Sequence, residues 1–198
     1  MSEDLVPCQT EGKSLELSEE IVALDVEDAH RLFGVARKRL LQPACWHALA
    51  GTLSASFNID GKSGDDNVEV GDHLRISIPA PGLAAGDGDD WVCVAAIEQD
   101  FDNDADASFG IRVSVCANPH KADTAIAHFF AEGASSSFLL TRKDKIITAS
   151  YIGRNEKPNT NDLSLTDKMR NLIVAGGALS GISELHWRAL LKGLLADN

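Results

Sequence analysis

Nowhere does the chain carry a C-x-x-C pair: its four cysteines, Cys8, Cys45, Cys93 and Cys116, stand far apart, with no matching histidine spacing. Ligands two residues apart let a single turn grip zinc, so no structural metal site is expected. Cys93 and Cys116 lie in apolar strand-like runs and read as small buried hydrophobes, which fits a reducing compartment; a bridge between them is the alternative in an exported protein. No run approaches eighteen consecutive apolar residues, which argues against a membrane helix. The acidic start, MSEDLVPCQTEGKSLELSEE, has no basic segment leading into an apolar one, so the reading is cytoplasmic.

Basic charge is scarce overall and missing from the middle. Eighteen Lys and Arg face thirty Asp and Glu, for a formal charge of -12, and no Lys or Arg occurs from Ile76 to Ile111. Such a balance repels polyphosphate and excludes general nucleic-acid binding.

Catalytic signatures are missing too. Ser135, Ser136, Ser137 and Ser180 lie near glycines without forming the G-x-S-x-G elbow that holds a strained nucleophile. The stretch GLAAGDGDD lacks the Gly-Lys-Ser/Thr end of a phosphate loop, and Gly176-Gly177 sits between helical segments, not after a strand. Carboxylates alternate from Asp100 to Asp106, but a calcium loop needs glycine at position 6 and glutamate at position 12. Counted from Asp100, those positions hold Ala105 and Ile111, so the run reads as an acidic hairpin loop. The six histidines include no H-x-H or H-x-x-x-H pair. No cofactor is implied.

What is present is a chain with 44% apolar and 24% charged residues, enough for one packed core in 198 residues. Residues 1–14 are polar and read as a frayed terminus, with a single domain from 15 to 198. Between Leu24 and Leu41 apolar residues recur at three and four, with acids first, bases last and Pro43 as a stop, which predicts a helix. A brief helical piece over 44–51 follows. Alternation at Leu53–Ile59, Val68–Ile78 and Phe109–Val115, with the doubly apolar run Trp91–Glu98, predicts strands. A short helix is predicted over Ala122–Glu132, then an antiparallel pair, Ser136–Arg142 and Lys145–Gly153, around a tight turn. Helices are expected after Ser164 and, capped by Ser183, along the stripe Trp187, Leu190, Leu191, Leu194 and Leu195. The class is therefore α+β: an antiparallel sheet of about six strands, open or curled into a barrel, against N-terminal and C-terminal helices.

One polar segment stands out. In YIGRNEKPN, Gly153 is expected to end the strand and Pro158 to hold the exit loop extended. Arg154 offers a planar fork of donors, and Asn155 and Glu156 further polar atoms. The plainer reading ties Arg154 and Glu156 to a neighbour, for example acid from the 87–106 region. Asp72, His73 and His128 are further candidates, the two histidines as a pair. These residues point to an interaction or ligand-binding domain for an unknown protein or small molecule; the rival is an enzyme whose carboxylates and histidines converge only in space. The C-terminal stripe leaves a helix-mediated homodimer as a third reading.

Overall fold

The structure is a computed structural model describing residues 4–51, 55–77, 89–101, 106–122, 124–159 and 180–197, with side chains omitted at 180–183. Its described elements run β1 (Lys13–Val22), α1 (Val26–Leu41), a single 3-10 turn (Pro43–Cys45), α2 (Trp46–Ala50), β2 (Ser56–Ile59), β3 (His73–Ser77), β4 (Asp90–Asp100), β5 (Asp106–Val115), β6 (Ser135–Lys143), β7 (Ile146–Glu156) and α3 (Ser180–Leu195). The strands form one antiparallel sheet in the order β1-β7-β6-β5-β4-β3-β2. Strands β2 to β7 follow one another as neighbours, and β1 returns to the far edge beside β7. The sheet is thus open, with β1 and β2 as its two edges.

The predicted helix from Leu24 forms as α1. Asp25 caps it, its carboxylate accepting the Asp28 N–H at 2.8 Å, a contact worth about 1 kcal/mol in typical helices. The basic residues in its last turn have a structural use. Arg39 Nη1 donates to the carbonyls of Gly193, Leu194 and Ala196 at 3.1, 3.1 and 2.6 Å, satisfying the open end of α3. One side of the sheet, through Leu74, Val92, Val94, Ile111, Phe138, Leu140 and Ile147, packs on Leu32, Phe33 and Leu40 of α1, on Trp46, and on Leu190, Leu191 and Leu194 of α3. Leu190, Leu191, Leu194 and Leu195 of the stripe on α3 are buried against the sheet and helices, with Trp187 partly buried beside them.

Several expectations are corrected. Residues 1–14 are not frayed from Leu5 onward: Leu5 is 1% exposed on the other side of the sheet, and its carbonyl accepts the Ser137 hydroxyl at 2.5 Å. Gly110 makes room for it, since a Cβ there would run into Leu5 and Leu139. Strand β1 was not expected at all. The described residues of Ala122–Glu132 are not helical; isolated bridges join Ala117 to Ile126 and Phe130 to Pro158. The backbone there bonds to distant partners, with Ala127 N–H reaching the Cys116 carbonyl at 3.0 Å and Ala131 N–H the Lys157 carbonyl at 2.8 Å. Val68 and Val70 precede β3 and do not extend it. Ser183 lies inside α3 and does not cap it. The helix after Ser164, the Gly176-Gly177 break, most of GLAAGDGDD and Asp102–Ala105 lie outside the described residues, although β4 and β5 pair as a hairpin would require.

Candidate functional site

Gly153 does not end β7; the strand runs on to Glu156 through a bulge. Leu15 faces Gly153 and Lys13 faces Glu156, so two residues on β7, Arg154 and Asn155, oppose the single Ser14 of β1. Asn155 adopts φ 56°, a left-handed conformation that asparagine tolerates better than most residues. Its side chain holds it there. Asn155 Oδ1 accepts from Thr10 N–H at 2.8 Å, Thr10 Oγ1 at 3.1 Å and Glu11 N–H at 3.2 Å, and Nδ2 donates to the Cys8 carbonyl at 3.3 Å. The N-terminal segment is therefore fastened by the same residue that bends β7.

An extra residue inverts the in-out alternation of a strand. Glu156 consequently lands on the face of Tyr151 and Gly153, where Gly153 leaves the space its carboxylate fills; a Cβ at 153 would collide with Glu156 Oε1. The Tyr151 hydroxyl lies 3.0 Å from Ser136 Oγ and donates to Glu156 Oε1 at 3.4 Å. Burial raises the Glu156 carboxyl above its ordinary range, opposed by the Tyr151 hydrogen bond and the field of Lys13. Burial, chiefly, also pushes the Tyr151 phenol well up, so it stays a neutral donor.

Aromatic rings wall this polar group. Trp187 of α3 stacks on Tyr151 with centroids 4.6 Å apart and planes 12° apart, and Phe138 meets Trp187 edge-on at 5.4 Å. Trp187 also meets His186 edge-on at 4.7 Å. Both ring nitrogens of His186 are buried without a hydrogen-bond partner among the described residues. Burial first, and the neighbouring His47 second, push the His186 imidazole down to about 4. The arrangement sets a protonatable carboxyl, a phenol and a hydroxyl beside an aromatic group that also meets the neutral imidazole of His186.

His186 makes stability depend on pH. Its native pKa lies below the ordinary histidine value of 6.5, so the unfolded chain takes up the proton first. The contribution is complete above pH 6.5 and disappears as pH falls through 4. Urea unfolding should lose about 2 kcal/mol at most between pH 7 and pH 5, less for the part of the ring that solvent screens. The His186→Phe variant should lose measurably less over that interval. Glu156 acts in the opposite sense, its raised carboxyl favouring the native state below its pKa and weakening it as pH rises, so comparing the two profiles isolates the histidine.

The residues singled out in the sequence divide among separate surroundings. Arg154 points away from Glu156: among the described residues it pairs with Glu16 on β1, and it donates to the Gly153 carbonyl at 3.2 Å. Asp72 bonds Lys62 at 2.8 Å and the Glu69 N–H at 2.7 Å. His73 lies opposite Cys93 in the β3–β4 ladder. His128 is buried in the irregular segment, its Nδ1 accepting the Phe130 N–H at 3.0 Å. Only Glu156 belongs to the aromatic site, turned there by the bulge at Asn155. Sequence reasoning missed Tyr151, Ser136, Trp187 and His186, although Tyr151 and Glu156 stand at the two ends of the run YIGRNE. Two clefts, of about 150 and 280 Å³, lie near Asp100 and Ser108, away from this group.

No protein-family profile matches the chain, and no curated protein sequence matches it. Solved structures do align along its length. A truncated norcoclaurine synthase from Thalictrum flavum aligns over 96% of this chain and 99% of its own, at 12% identity and a TM-score of 0.39. A protein from Thermus thermophilus covers 92% of this chain and 94% of itself, at 10% identity and a TM-score of 0.41. A protein from Arthrobacter aurescens covers 93% and 91%, at 14% identity and a TM-score of 0.37. At identities and TM-scores this low, the likenesses assign the chain neither a family nor an activity.

Proposed function

We propose that the chain is a ligand-binding domain that takes a small molecule with an aromatic body and an amine head, the ring lying against Trp187 and the amine against Glu156. One observation carries this reading: the bulge at Asn155 turns a carboxyl into half-buried surroundings where, among the described residues, its side-chain hydrogen bond is the long contact from Tyr151. Burying a carboxylate without a hydrogen-bonded cation costs stability, and groups kept at such a cost cluster at functional sites. A ligand amine would supply the missing donor, and Tyr151 and Ser136 would fix the orientation of its neighbouring polar atoms. Burial keeps the Tyr151 phenol protonated, so it serves as a donor to Glu156 and not as a nucleophile, which favours binding over the enzyme reading.

The test is titration of the full chain with small aromatic amines, the corresponding aromatic acids and aliphatic amines, followed by tryptophan fluorescence and calorimetry. Aromatic amines should bind saturably and the acids should not. Glu156→Gln should weaken binding by roughly tenfold or more, the size of about 1.4 kcal/mol, and Tyr151→Phe by less. Equal binding of acids and amines, or a Glu156→Gln variant with unchanged affinity, would defeat the proposal.

A further inference from the structure

Two of the four cysteines meet on the opposite side of the sheet from the core. Cys93 on β4 faces His73 on β3 and Ser114 on β5. Cys116 stands two residues beyond Ser114, and its N–H donates to the Trp91 carbonyl at 3.1 Å, so Trp91, Cys93, Ser114 and Cys116 share one surface of the ladder. Both cysteines are free and half-buried, neither being the sealed hydrophobe that the sequence suggested. Cys116 is therefore the diagonal neighbour of Cys93 across the β4–β5 ladder. Hydrogen bonding from the Cys116 thiol is the main cause of a lowered Cys93 pKa, to which the field of His73 adds. The Cys116 thiol is correspondingly held protonated. Among the described residues no three His, Cys, Asp or Glu side chains converge on a metal position, so this cluster is not a metal site in the present arrangement.

We propose that Cys93 and Cys116 form a reversible dithiol–disulfide pair, with Cys93 as the attacking sulfur, Cys116 as the resolving one, and a low-molecular-weight disulfide of the glutathione type as the oxidant. The Cys93 thiolate attacks one sulfur of the small disulfide; that S–S bond breaks, a mixed disulfide forms and one small thiolate departs. Cys116 then gives its proton to the departed thiolate, and its sulfur attacks Cys93 Sγ. The protein disulfide closes and a second small thiolate leaves, taking a proton from solvent. Two protein thiols lose two electrons, and one small disulfide becomes two thiols. The geometry suits reversal. Diagonal neighbours across strands stand about 7 Å apart, at the edge of what a disulfide spans, so closure draws Cys116 inward and leaves a bond that reduces readily. Cys116 lies just past the end of β5, its N–H held by the Trp91 carbonyl and its carbonyl by the Ala127 N–H, so closure works against both contacts and favours return to the dithiol.

The experiment uses the full chain carrying Cys8→Ser, since Cys8 is exposed and would react by itself. Incubation with oxidised glutathione should remove two hydrogens from the intact mass and join the peptides holding Cys93 and Cys116, and reduced glutathione should restore both. Adding Cys116→Ser should trap a glutathione adduct on Cys93, whereas adding Cys93→Ser should leave Cys116 unmodified. In the wild-type chain at neutral pH, iodoacetamide should alkylate Cys93 roughly tenfold faster than Cys8, and His73→Gln should narrow that ratio. A Cys93 that reacts no faster than Cys8, or an adduct on Cys93 that never resolves while Cys116 is present, would overturn the pair.

Discussion

Trp46→Ala should lower the unfolding free energy by about 3–5 kcal/mol, a large share of what a domain possesses. Trp46 is 1% exposed and lies between Phe57, at 5.2 Å, and Phe138, at 4.8 Å. Its indole N–H donates to the Arg39 carbonyl at 3.1 Å. It therefore joins the last turn of α1 to the short edge strand β2 and the central strand β6. The surrounding rings are stiff and cannot collapse into the space that alanine would leave, which places the cost at the upper part of the range for large-to-small changes. Urea unfolding at constant m-value measures it, with Trp46→Phe as the milder control. A loss below about 1 kcal/mol would show that this aromatic cluster does not hold the helices to the sheet.

Asn155→Ala should cost about 2–4 kcal/mol, because it strips partners from the Thr10 and Glu11 N–H groups and places a Cβ without local hydrogen bonds at positive φ. Asn155→Gly makes the same polar loss but relieves the backbone, so it should be the more stable variant by roughly 1 kcal/mol. In both, the amides of Thr10 and Glu11 should exchange with solvent far faster than in the parent protein. Binding of aromatic amines should weaken in parallel, since the bulge is what aims Glu156 at Tyr151. Retained protection of residues 10 and 11 in the alanine variant would disconnect the N-terminal segment from the site.

The helix α1 and the hairpin β6–β7 were legible because local signals agreed: an acidic start, a basic end, Pro43 beyond it, and two alternating runs around a tight turn. Strand β1 was not. Its Leu15, Leu17 and Ile21 alternate with glutamate and serine, residues of low strand propensity, and only Leu17 is fully buried. The segment Ala122–Glu132 was misread for a related reason. Its closely spaced apolar residues suit a helix, but Trp91, Cys116, Lys157 and Asn159 claim its backbone groups from elsewhere in the chain. The interest of Glu156 was visible in the sequence, whereas its partners were not. A bulge that reverses the facing of one side chain follows from pairing with β1, and pairing register leaves no trace in a single strand's composition.

The place of β1 beside β7 bears on how the molecule is made. Thr10 and Asn155 stand 145 positions apart, yet β1, which leaves the ribosome before every other described strand, closes against the last of them. During synthesis β1 waits as an acidic, unpaired ribbon, with Glu16, Glu19 and Glu20 discouraging association with other nascent chains. Closing so long a loop is slow, so β2 to β7 can assemble as a meander of neighbours before β1 and the N-terminal segment dock.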